Sequence, residues 1–112
     1  MSAEDWRFGL EEALAKLPDS PDEFRFHYGL RHGSMKVGLY APRNTDPQSP
    51  HQQDELYIVI SGAGDFLKSE ERIPFKAGDV LLVEAGAEHR FENFSADFAT
   101  WVVFWGPHGG ER

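Results

Sequence analysis

Glycine-marked turns cut this chain into short apolar runs of strand length. The longest are Leu56–Ile60, Val80–Val83 and Trp101–Trp105. None approaches the ~20 residues that a membrane helix needs, so no membrane partner is expected. Elsewhere apolar and polar side chains alternate. Phe24, Phe26 and Tyr28 are separated by Arg25 and His27; Met35, Val37 and Leu39 alternate in the same way. A period of two places successive side chains on opposite faces of a strand. The same reading applies to Glu55–Ile60, Asp65–Lys68, Ile73–Phe75, Val80–Val83, His89–Asn93 and Phe98–Trp105. Turn signals lie between them: Gly29 and Gly33, Ser61–Gly64, Ala77-Gly78 and Ala85-Gly86. About eight short strands with a single helical pattern predict an all-β sandwich or barrel.

The one helical pattern is N-terminal. Trp6, Leu10, Ala13, Leu14 and Leu17 share a face at helical spacing, Asp5 is placed to cap the start, and Pro18 ends the run. Residues 1–20 are therefore expected to be a helical extension packed outside the β domain. Arg43 to Pro50 is polar and proline-rich, hence a loop. Residues 106–112 are glycine-rich and charged, and are expected to fray. With 112 residues and no internal boundary or repeat, the chain is read as one domain, 1–112.

A net charge of −8 argues against nucleic acid as a partner. The absence of cysteine removes disulfides, thiolate metal sites and thiol nucleophiles. It fits a reducing compartment, and the acidic start, Met1–Trp6, carries no secretory pattern, so the expected location is the cytoplasm.

Two segments carry chemistry. In the first, His51, Gln53, Glu55 and Tyr57 are spaced by two and share a face if the segment is extended. An imidazole and a carboxylate facing a core are costly to bury unpaired. Either a hydrogen-bonded ion pair or a shared cation resolves this. In the second, His89, Phe91 and Asn93 alternate with Arg90 and Glu92, which puts His89 on the inner face.

Together the segments resemble the two motifs of the cupin superfamily. His51, three spacers, Glu55, six spacers and Gly62 match the second half of G-x5-H-x-H-x3-4-E-x6-G. Gly78, Gly86, His89 and Asn93 match G-x5-P-x-G-x2-H-x3-N at every spacing, with Glu84 where proline is usual. The resemblance spans about Val37 to Phe104. It implies a single jelly-roll barrel and a divalent metal (Fe, Mn, Zn, Ni or Co) held by His51, Glu55 and His89. Two imidazoles and a carboxylate leave coordination positions open. The chain departs from the pattern at Ser49, which stands where the first motif histidine is usual, after a longer loop. Gln48, Ser49 and Gln53 are the candidates for a further contact. Tyr57 lies where some cupin lyases carry a catalytic base, although a tyrosine there also serves as barrel filler.

The functional expectation is a small organic ligand bound beside the metal, with oxygenase, isomerase or lyase chemistry open. The alternatives are a non-catalytic small-molecule or sugar-binding barrel and a metal-free structural barrel. Both faces of Trp101–Trp105 are apolar, so the last strand should be covered on both sides, by the helix, the core or a second subunit. The resemblance to cupins, which are often dimers, adds a homodimer to the expectation.

Overall fold

The computed structural model describes residues 6–19 and 24–112. Its elements are α1 (Leu10–Ala15), β1 (Phe26–His32), β2 (Met35–Tyr40), β3 (Asp54–Ser61), β4 (Ala63–Lys68), β5 (Glu71–Lys76), β6 (Val80–Val83), β7 (His89–Glu92) and β8 (Ala99–Trp105). The eight strands form two antiparallel sheets, in order β1-β2-β8-β3-β6 and β5-β4-β7. This is the jelly-roll arrangement, with the core between the sheets. The ladders do not close into a continuous ring. On the open side, between β5 and β6, lies a cleft of about 840 Å³ that includes the exposed Ile73, Val80 and Leu82.

One long excursion supplies both sheets. β3 ends at Ser61, Gly62 turns the chain at φ +85°, and β4 continues in the other sheet. A Cβ at Gly62 would sit 2.6 Å from the Phe98 Cα, so a side chain is excluded by space as well as by backbone conformation. Inward-facing residues meet in an aromatic core. Phe91 is its hub, with ring centroids 4.7 Å from Phe98, 4.8 Å from Tyr57 and 4.9 Å from Phe66. Tyr57, Phe66, Phe91 and Phe98 are all buried.

Several local expectations need correction. β1 does not stop at Gly29 but runs to His32, with a register shift between Tyr28 and Leu30. Gly29 stays in the strand because the Phe8 ring occupies the place of its side chain; a Cβ there would lie 2.1 Å from that ring. The turn is at Gly33-Ser34, between His32 and its partner Met35. The helix is short and starts after Gly9. Ala13 and Leu17 are buried against Leu39, Ala41 and Ala99, while Leu14 and Trp6 are exposed, so Trp6 is not on the packed face. The Asp5 cap lies outside the described residues. The C-terminal tail, expected to fray, is tied down: Gly109 N–H donates to the Gln52 carbonyl (2.7 Å) and Glu111 N–H to Asp54 Oδ2 (2.8 Å).

α1 covers the Trp101 end of the outer face, where Phe8 packs on the indole at 5.3 Å. Val102 faces inward and is fully buried, so β8 is covered on both sides there. Farther along the same outer face Ile58, Val80 and Leu82 stay exposed. No helix among the described residues is long and apolar enough to cross a membrane.

Candidate metal centre

His51 precedes β3, Glu55 is its second residue, and His89 opens β7. The turn between β6 and β7 joins these distant segments. Gly86 N–H donates to the His51 carbonyl (2.8 Å), and Ala85 N–H donates to Asp54 Oδ1 (2.9 Å). Gly86 has φ +83°, a conformation open to glycine at little cost. The turn thereby brings His89 to the mouth of the core beside Glu55.

His51, Glu55 and His89 each offer a ligand atom, and all three atoms lie within 4.8 Å of one another. His51 Nε2 is 2.6 Å from Glu55 Oε1, and His89 Nε2 is 3.2 Å from the same oxygen. The two imidazole rings are 4.9 Å apart. Glu55 and the His89 side chain are buried, while that of His51 keeps 21% of its surface exposed.

Backbone carbonyls set both tautomers. His51 Nδ1 lies 2.9 Å from the Gln53 carbonyl, and His89 Nδ1 lies 2.9 Å from the Ala87 carbonyl. A carbonyl only accepts, so each Nδ1 carries the proton. In the neutral rings both Nε2 lone pairs then face a carboxylate. His89 Nε2 is within ion-pair distance, but its geometry makes no hydrogen bond, and it is left buried without a partner. Two lone pairs and an anion converging in a buried space require a positive charge among them, a proton or a metal ion. The residues fit a divalent cation on this ground.

The proton does part of this work in the cluster as it stands. Burial disfavours the charged His51 ring, but the Glu55 hydrogen bond and charge, helped by the Gln53 carbonyl, outweigh it and raise its pKa. Burial likewise opposes the charged Glu55, yet His51 and the neighbouring His89 hold it below the usual carboxylate range.

The other candidates are placed differently. Gln48 reaches the interior, where its Oε1 accepts from the Tyr57 hydroxyl (2.8 Å) and its Nε2 donates to Asp46 Oδ2 (2.9 Å). Ser49 is exposed in the loop. Gln53 offers the cluster only its backbone carbonyl; its amide donates outward to the carbonyls of Gly106 (2.9 Å) and Ser34 (3.3 Å). Tyr57 is fully buried, and burial together with the Glu55 charge pushes its hydroxyl pKa well up. Asn93 is exposed at φ +51° and donates to Asp65 Oδ2 (3.0 Å), so it lies outside the core rather than on the inner face. His27 is half-buried against Phe8 at 5.9 Å, whereas His32 is exposed.

Asp46 is the residue that sequence reasoning missed. It is buried, and its carboxylate accepts from the Tyr40 hydroxyl, Gln48 N–H (3.2 Å), Gln48 Nε2 and Phe91 N–H (2.8 Å). It thus pins the loop across the mouth of the core. The bond to Gln48 N–H two residues on is an Asx turn, the one local signal that an aspartate in a polar loop provides.

A family model described as "Cupin domain" matches residues 37–105. An uncharacterized protein of Streptomyces coelicolor is 42% identical over 80 residues, covering 70% of this chain and 76% of its own length. An oxalate-binding protein of Thermotoga maritima is 28% identical over 90 residues, covering 73% of this chain and 74% of its own. Among solved structures, a cupin 2 conserved barrel domain protein from Salinispora arenicola superposes with a TM-score of 0.66 at 22% identity, covering 82% of each chain.

Proposed function

Because the chain belongs to the cupin domain family, we propose that it holds a divalent cation on His51 Nε2, His89 Nε2 and a Glu55 carboxylate oxygen, and takes a small organic ligand beside it. The observation that carries this is the pair of Nε2 lone pairs turned onto one buried carboxylate by the Gln53 and Ala87 carbonyls. Fe, Mn, Zn, Ni and Co all suit such a ligand set, and affinity order alone does not choose among them. When bound, the cation supplies Lewis acidity and open coordination positions. Oxygenase, isomerase and lyase chemistry are open on this reading.

The chain's own residues hold and orient. The Ala87 and Gln53 carbonyls fix the rings. Asp46 fixes Gln48, and Gln48 fixes the Tyr57 hydroxyl. The raised Tyr57 pKa favours hydrogen-bond donation over action as a base. Of the candidates for a further contact, Gln48 is the one whose side chain turns inward, where its oxygen already accepts from Tyr57. The apolar outer face around Ile58, Val80 and Leu82 supports a homodimer.

A second reading has its own support. The 2.6 Å contact of His51 with Glu55 and the raised His51 pKa suit a metal-free ion pair in a structural barrel. Elemental analysis of protein purified without a histidine tag separates the two. Stoichiometric metal in the wild type, lost in both His51→Ala and His89→Ala, is the expected result. Metal that survives both substitutions removes the ligand assignment, and metal-free wild type after exposure to each candidate ion supports the structural barrel.

A further inference from the structure

A cavity of about 540 Å³ opens beside the cluster, on the side of β1 and β8. Its walls include Phe26, Tyr28, Phe104, Pro47 and Gln48, and it reaches His51. The Phe26 and Tyr28 rings meet edge-on at 4.6 Å, Phe104 lies 6.4 Å from Tyr28, and His51 stands edge-on to Phe104 at 4.9 Å. This wall depends on Gly38. A Cβ there would come within 2.5 Å of the Phe26 ring, so glycine is what lets that ring lie over β2.

The register orders the charges. Glu55 pairs with Phe104, Phe104 with Lys36, and Lys36 with Arg31, so one row of the sheet runs from the cluster, across a phenyl ring, to two cations. Lys36 Nζ lies 5.5 Å from the Tyr28 ring centre and 5.6 Å from that of Phe104, and the Arg31 guanidinium lies 4.7 Å from Tyr28. A second cavity, about 250 Å³, shares Tyr28, His51 and Phe104 and adds Lys36. Among the described residues neither Lys36 nor Arg31 has a carboxylate within 4.0 Å. In a chain of net charge −8, Lys36 lining the smaller cavity and Arg31 against Tyr28, neither with an acidic partner among the described residues, suit an anion with a flat apolar body.

We propose that the organic ligand of this site is an aromatic carboxylate. Its ring lies over Phe104 and beside Tyr28, its carboxylate pairs with Lys36, and a ring hydroxyl on the far side faces His51. The proposal deepens the reading of the cluster as a metal-and-ligand site and rests on it for that last contact only. An oxalate-sized dianion has no apolar surface to set against these walls. The cavity also falls in the ~300–1,000 Å³ range of pockets that enclose much larger ligands.

Calorimetric titration tests this with naphthoate, hydroxynaphthoate, naphthalenemethanol, oxalate and acetate, on manganese-loaded and on EDTA-treated protein. Naphthoate should bind EDTA-treated protein at least tenfold more tightly than oxalate or acetate. Lys36→Gln should weaken naphthoate about fivefold, the scale of a partly exposed ion pair, while leaving naphthalenemethanol and manganese binding unchanged. Manganese should tighten hydroxynaphthoate but not naphthoate. Oxalate or acetate binding as tightly as naphthoate, or Lys36→Gln binding naphthoate like wild type, overturns the proposal. If no manganese loads but naphthoate keeps its preference and its Lys36 dependence, the metal reading fails and the aromatic-carboxylate slot stands.

Discussion

Replacing Glu55 with glutamine separates the demand for a cation from the needs of the fold. Glu55 is 1% exposed and touches both imidazoles through one oxygen. Glutamine keeps the shape and brings an N–H that can donate to the His51 Nε2 lone pair. It also removes a buried carboxylate, whose desolvation costs offset its attraction to the rings. In EDTA the variant should therefore stay within ~1 kcal/mol of wild type. With metal the two should diverge. A cation at a hundred times its dissociation constant stabilises the wild type by about 2.7 kcal/mol. For a chain of 112 residues that corresponds to a rise in Tm of about 10 °C, at roughly 4 °C per kcal/mol. Losing a ligand should weaken the site at least ~100-fold, since changing even groups behind the ligands costs 10–100-fold. At the same metal concentration the variant then gains about 0.4 kcal/mol, under ~2 °C. Thermal unfolding followed by circular dichroism, with and without Mn, Ni, Co or Zn, reads both quantities. A Glu55→Gln protein that keeps more than half of the wild-type metal shift refutes the assignment. One that collapses in EDTA refutes the claim that the carboxylate is retained for a cation rather than for the fold.

Two further outcomes follow from the same geometry. The raised His51 pKa contributes stability that is full below its ordinary value of 6.5 and fades as pH rises through the folded value. The lowered Glu55 pKa contributes stability that is full above 4.5 and fades as pH falls through its folded value. Metal-free stability should thus be highest between those limits, and the metal-dependent rise in Tm should grow at higher pH as the cation displaces the proton; a metal shift that shrinks from pH 6 to pH 8 counts against the shared site. Asp46→Ala leaves the Tyr40 hydroxyl and Phe91 N–H without their acceptor. At ~1–3 kcal/mol for each orphaned group it should cost about 2–6 kcal/mol in urea unfolding, and a loss below ~1 kcal/mol means the loop is not pinned through this carboxylate.

Much of the fold was legible because strand alternation and glycine turns are local signals. Each strand expected from the sequence is present, and the spacing that linked His51, Glu55 and His89 is realised in space. What local pattern could not show was tertiary compensation. Gly29 reads as a turn until the Phe8 ring is seen lying against it. Gln53 reads as inward-facing, but its segment precedes the first regular residue of β3, where strict alternation does not yet hold, and its amide turns to Gly106. Asn93 reads as a continuation of β7, but the strand ends at Glu92 and the next residue turns left-handed. Asp46 is 45 residues from Phe91 in sequence, and no periodicity reports such a bond.

That bond bears on the departure at Ser49. The loop there leaves Ser49 in solvent and sends Gln48 inward, where Asp46 and Tyr57 occupy both ends of its amide. Beside the position of the first motif histidine, Gln48 thus forms a hydrogen-bonded strut. An amide oxygen recruited as a ligand must share itself with Tyr57 or release it, and a buried hydroxyl left unpaired costs ~1–3 kcal/mol. On the proposed reading this favours three protein ligands with the remaining positions open, a weaker hold on the ion than a full histidine set gives. An organic ligand that itself donates an oxygen then contributes more to holding the ion here, so metal and ligand should bind cooperatively.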